Sequence, residues 1–146
     1  MNDETIKHLE FLQANIARMG QNSFQMKGWA MTVVTALIAL YVASISNGDS
    51  GNSWFLIIGA FPTLIFWYLD SYYLQQERKF RGVYNDVALL SSKEKRIEVK
   101  PFEMPLQKYT KGDYRLCRVA FSRTVWPLYL PVTTILVVLG IVMKCS

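Results

Sequence analysis

Few side chains in this sequence have the types and spacing for chemistry, and one carboxylate stands out among them. Asp70 lies within "FWYLDSYYLQQERKF" (66–80), where an acid is set among aromatic rings at the end of an uncharged run, just before the chain turns basic. An acid at the edge of hydrocarbon is costly unless it is hydrated or paired. Three roles are open to it. It is a hydrated interfacial carboxylate, a structural partner of Lys27, or one member of a ring of carboxylates at the inner mouth of an oligomeric pore, favouring cations. Counting outward from a hairpin centred on Ser50 puts Asp70 level with about Ala30, so Lys27 lies roughly one turn nearer the cytosol. The two side chains lean in directions that separate them unless a helix shifts. Arg78, two turns further along, is too far for a close pair.

The remaining candidates are sparse. The single histidine, His8, falls on what reads as the surface face of a helix. Cys117 and Cys145 are expected on opposite sides of a membrane and so cannot bridge within one chain. No phosphate-cradling glycine loop, metal-ligand cluster or nucleophile–base spacing is present in the sequence. Catalysis is therefore not expected, and neither a cofactor nor a metal.

The elements that hold Asp70 follow from the distribution of charge. Between positions 28 and 53 the only charged residue is Asp49, and 54–69 and 124–143 contain none. Mean hydropathy is positive although the pI is near 9.3, so the basic residues must be concentrated elsewhere. Apolar runs of about 18 residues or more read as transmembrane helices, each about 28 Å long. We read three spans, at 28–46, 54–72 and 125–143. A cleaved signal peptide is not expected at the first, because the preceding region is long and carries Asp3, Glu4 and Glu10. No lipidation motif is evident.

Orientation follows from lysine and arginine. The link 47–53 has neither, whereas twelve of the sixteen lie between Arg78 and Arg123. The N-terminus and the long basic segment are therefore expected in the cytoplasm, and the link and C-terminal tail outside. Asp70 then lies at the cytoplasmic end of span two, in an aromatic belt of Trp67, Tyr68, Tyr72 and Tyr73. Phe80, Val83, Tyr84, Val87 and Leu90 recur at helical spacing, which extends the helix to about Leu90.

At the N-terminus, Ile6, Leu9, Leu12, Ile16 and Met19 share one helical stripe. It packs against the cytosolic extension of span two, lies on lipid, or self-associates. In span one Gly28, Thr32, Thr35, Ala36, Ala39, Ala43 and Ser46 form a small-residue ridge of the kind that lets helices approach closely in lipid. Thr32, Ala36, Ala39 and Ala43 are the candidate packing positions, and they point to a homo-oligomer. Pro62 can kink span two. In the basic segment Ile97, Val99 and Phe102 could form a short strand, although Pro101 and Pro105 favour an edge or a loop. Arg115, Arg118 and Arg123 are candidate contacts for anionic headgroups of membrane lipid. Position beside the membrane explains this charge without nucleic-acid binding, which is not expected.

The fold class is thus an all-α membrane protein. It comprises a cytosolic amphipathic helix (1–27), a transmembrane hairpin (28–72) continuing into a basic cytosolic segment (73–124), and a third span with a short outer tail (125–146). The texture of "ARMGQNSFQMKGW", the tiny outer link, and "FWYLDSYYLQQERKFR" running on as a cytosolic helix resemble the SLATT-like small membrane effectors of bacterial anti-phage systems. The third span departs from their simplest two-span pattern. What the resemblance implies is an oligomer in the bacterial inner membrane, antiviral in purpose, that perturbs or permeabilises the membrane when a cytosolic sensor or nucleotide-signalling partner reports infection. The other reading is a non-catalytic anchor or scaffold for a cytosolic complex. The spans lack the several intramembrane charges expected of a transporter relay.

Overall fold

The computed structural model describes residues 3–46, 54–94 and 96–145. The polar link with Asp49, together with Lys95, lies outside the described residues. Four α-helices follow in chain order: α1 (Asp3–Ser46), α2 (Trp54–Val87), α3 (Leu116–Ala120) and α4 (Trp126–Cys145), with 3-10 turns at Leu106–Lys108 and Gly112–Tyr114. No strand occurs among the described residues, so 97–102 is not a strand. Pro101 and a left-handed Phe102 (φ 61°) interrupt extended pairing.

The N-terminal amphipathic stretch and span one are one helix of 44 residues. The reason is visible in the sequence: no proline occurs before Pro62, and Gly20 and Gly28 cost a helix only about 1 kcal/mol each. Asp3 and Glu4 occupy its first turn, where negative charge favours a helix N-terminus. α1, α2 and α4 each contain a stretch long and apolar enough to cross a membrane.

The chain forms two compact units. The first comprises Met1–Ser23 and Ser71–Val119, the second Phe24–Asp70 and Ala120–Ser146. In the first unit Leu12, Phe80, Val83 and Tyr109 make a buried cluster, with Ile16, Met19, Tyr84, Val87, Ile97 and Val99 packed on it. The N-terminal half of α1 thus packs on the C-terminal half of α2. Its buried face is centred on His8, Leu12, Asn15 and Ser23, while Ile6 is exposed. His8 is therefore a core residue, 1% exposed, and not a surface one. Asn15 is tolerated there because its amide donates to the Phe11 carbonyl (2.9 Å) and its oxygen accepts from Arg18 (3.1 Å).

α2 ends at Val87, slightly before the expected Leu90. The Leu90 N–H donates to the Asn85 carbonyl (2.8 Å) and the Leu89 N–H to that of Asp86 (3.3 Å), a Schellman closure. The left-handed position falls on Leu89 (φ 61°), where glycine is usual. Gly82 has a different task. A Cβ there would lie 2.6 Å from Tyr114 Oη and 2.8 Å from Tyr109 Cδ1, so its absence lets two tyrosines close on the helix backbone.

In the second unit Val34, Tyr41, Leu56 and Leu136 join the three apolar helices, with Phe55 and Val132 against them. A Cβ at Gly140 would meet Ile57 Cγ1 at 2.7 Å, so α4 passes α2 at backbone distance there. Three threonines of α2 and α4 are satisfied locally. Thr63, Thr133 and Thr134 donate to the carbonyls of Gly59, Tyr129 and Leu130, four residues back (2.7–2.8 Å).

Candidate functional site

The second unit is organised at one end around a buried ion pair. Lys27 Nζ lies 2.8 Å from Asp70 Oδ1 and 2.7 Å from Oδ2, so α1 and α2 are tied by a charge-assisted contact. The Asp70 side chain is fully buried, and that of Lys27 is 26% exposed. The register count placed these groups a turn apart with opposed leanings. The four-carbon lysine stem covers that distance along apolar surface. Of the three roles open to Asp70, the helix-to-helix pair is the one this geometry has. The carboxylate meets no solvent within the chain.

α4 completes the surroundings. Tyr129, 1% exposed, brings its hydroxyl close enough to Asp70 to interact with it. The Trp67 ring stacks on Tyr129 (centroids 6.4 Å apart, planes 5° apart) and meets Phe121 edge-on at 5.7 Å. Its indole N–H donates to the Ala120 carbonyl (3.1 Å). Trp67, half-buried, is thus both one of the aromatic group at this end of α2 and a strut toward α4. Tyr68 and Tyr72 are the exposed rings of that group. An acid, a lysine, a tyrosine and a tryptophan thus come together from three apolar helices. The cluster holds those helices in register and contains no nucleophile–base geometry.

The candidate packing residues Thr32, Ala36, Ala39 and Ala43 are all exposed in the single chain. The inward face of α1 is the opposite stripe of Ala30, Val34 and Tyr41. Of the candidate headgroup contacts, Arg115, Arg118 and Arg123 are exposed. Arg118 also approaches Asp113 at 3.2 Å, a solvent-screened pair of little energetic weight. The stretch that carries them is a 3-10 turn followed by the five residues of α3, with Val119 buried.

The first unit has its own polar node, which the sequence reading missed. The Tyr109 hydroxyl donates to Asp86 Oδ2 (2.5 Å), which also accepts from the Ile97 N–H (3.3 Å). Burial raises the Tyr109 pKa above the ordinary tyrosine value, and the hydrogen bond to Asp86 and the charge of Asp86 raise it further. Tyr114 is raised in the same way, by burial first and then by the charges of Asp86 and Asp113. Gln75 donates to the Tyr114 carbonyl (2.7 Å), and Glu77 on α2 is paired with Arg81. An acid at helical spacing from Phe80 and Val83 was the available signal for this node.

No group of three or more histidine, cysteine or carboxylate side chains suited to a metal ion occurs among the described residues. No protein-family model, curated protein or solved structure matches the chain.

Proposed function

We propose that this chain is a self-associating effector of the bacterial inner membrane, which perturbs or permeabilises that membrane when a cytosolic partner signals. The observation that carries this reading is the outward ridge of α1. Thr32, Ala36, Ala39 and Ala43 are exposed, while the inward face of the same helix is already packed by Ala30, Val34 and Tyr41. In lipid, small residues contribute by allowing backbones to approach closely, and a ridge facing acyl chains contributes nothing of that kind. A second copy of the chain supplies the missing helix.

The distribution of lysine and arginine supports a cytoplasmic N-terminus and basic segment, with the C-terminus in the periplasm. The compact first unit is then the part available to a partner. Lys27 and Asp70 serve in this reading to fix α1 against α2, so that the ridge is presented as one rigid surface. Arg115, Arg118 and Arg123 meet anionic headgroups.

The test is Ala39→Leu. Because Ala39 is exposed in the single chain, leucine there leaves the intrachain packing intact and obstructs only an intermolecular contact. Native mass spectrometry from maltoside micelles is expected to give an oligomer for the wild type and a folded monomer for the variant. Identical masses for the two proteins, with unchanged toxicity on overexpression, would count against self-association through this ridge. A wild-type monomer that leaves vesicles intact would identify an anchor or scaffold subunit instead.

A further inference from the structure

The first unit contains a cleft that neither the spans nor the ridge accounts for. It has a volume of about 210 Å³ and is lined by α1 (Thr5, His8), the end of α2 (Asp86, Val87) and the loop that follows, including Leu89, Arg96 and Glu98. Two of its nitrogen atoms, His8 Nε2 and Arg96 Nε, are buried and have no hydrogen-bond partner among the described residues. His8 is 1% exposed. Unpaired buried polar groups are uncommon and costly, and two in one cleft point to something that pairs with them.

The arrangement around these atoms is specific. His8 is held by stacking on Phe102 (centroids 5.8 Å apart, planes 29° apart), and Phe102 has the left-handed backbone that side chains rarely adopt. Arg96 Nη2 donates to the carbonyls of Leu89 (3.1 Å) and Ser91 (2.9 Å), and Leu89 is the other left-handed residue. Strained backbone of this kind collects where a site is held in shape. Both left-handed residues serve this cleft, one lining it and the other covering His8.

We propose that this cleft binds a tetrahedral oxyanion, the phosphoryl group of a small phosphate ester or of a lipid headgroup. The Arg96 Nε–H can only donate, so the ligand must present an acceptor oxygen. A planar carboxylate is best gripped by the paired Nε and Nη2 donors of one guanidinium. Here Nη2 is committed to two carbonyls, so that edge of the guanidinium keeps a single free N–H, on Nε. A tetrahedral anion accepts such single bonds from separate directions, and Arg96 on the loop and His8 and Thr5 on α1 line the cleft from two elements. Two acids also border the cleft. Asp86 is engaged through Oδ2 by Tyr109 and Ile97, and Glu98 is exposed and hydrated. Arg96 offsets Asp86, and the His8 Nε2 is left to make a neutral hydrogen bond to the anion.

The experiment is calorimetric titration of the full chain in maltoside micelles, with inorganic phosphate and with sulfate as probes. Wild-type protein is expected to bind both anions. His8→Phe preserves the ring that stacks on Phe102 but removes Nε2. It is expected to weaken binding about tenfold or more. Thr5→Val tests the same site from a position whose loss does not threaten the core. Glycerol phosphate in maltoside and phosphatidylglycerol vesicles separate the two sources: His8-dependent binding to either supports the site and names its ligand class. Absence of binding to all four probes in the millimolar range, or equal binding by wild type and a correctly folded His8→Phe, overturns the proposal.

Discussion

Breaking the Lys27–Asp70 pair from its two sides should have unequal consequences. Lys27→Met leaves the Asp70 carboxylate fully buried with its cation gone. Removing one partner of a buried pair in this way costs about 3–5 kcal/mol. Asp70→Asn leaves Lys27, whose side chain is already 26% exposed and can extend its ammonium to water. That change should cost only about 1–2 kcal/mol, the loss of a charge-assisted hydrogen bond partly made good by solvent. Replacing both, as Lys27→Met with Asp70→Leu, removes the buried charge altogether and should restore most of the stability. The assay is equilibrium unfolding in maltoside micelles titrated with SDS, followed by circular dichroism and analysed as a double-mutant cycle. The expected coupling is about 2 kcal/mol. The exchange of Lys27→Asp with Asp70→Lys should also be less damaging than either half alone. Equal costs for the two single changes, with a double mutant at their sum, would refute the pair as a structural tie.

Other consequences follow from the same coordinates. Gly140→Ala places a methyl group 2.7 Å from Ile57 Cγ1 and should destabilise the second unit by about 1–3 kcal/mol in the same unfolding assay, whereas Gly28→Ala, with nothing within 4 Å, should be neutral or slightly stabilising. Because burial and Asp86 raise the Tyr109 pKa, the folded first unit holds this proton more tightly than the unfolded chain does. Its contribution is present below the ordinary tyrosine value of about 10 and is lost as pH rises above it. A fall in stability above about pH 10 that is smaller in Tyr109→Phe is the expected result. For topology, a cysteine placed at Asp49 should react with an impermeant reagent in intact spheroplasts, and one placed at Lys95 should not; labelling at Lys95 would invert the orientation.

Much of the membrane architecture is legible because hydrocarbon punishes charge, so a run without lysine, arginine or acid announces a span. The continuity of α1 is legible as well, once the lack of proline before Pro62 is weighed. What escapes the sequence is rotation about helix axes. The apolar stripe of Ile6, Leu9 and Leu12 lies slightly around the helix from the face that is buried, which takes in His8 and Asn15. Hydrophobicity alone assigns those two to the surface. Trp67 reads as a belt residue because tryptophan favours interfaces, and only the position of Tyr129 on another helix gives it a packing partner as well. Lys27 and Asp70 could be named as partners, but their contact depends on the rotation of α1 against α2, which the register count does not give. The segment 88–119 is least legible. Its shape depends on tertiary contacts such as Tyr109 with Asp86 and Gln75 with Tyr114, which no periodicity encodes.

The central claim is that copies of this chain associate through the outer ridge of α1 and thereby compromise a membrane. Dye release from phosphatidylglycerol-containing vesicles, measured against protein density for wild type and Ala39→Leu, tests it most directly. The account predicts release that rises more steeply than in proportion to wild-type density and is lost in the variant at equal insertion. Vesicles that remain sealed at every wild-type density, or that leak equally with the variant, would contradict it.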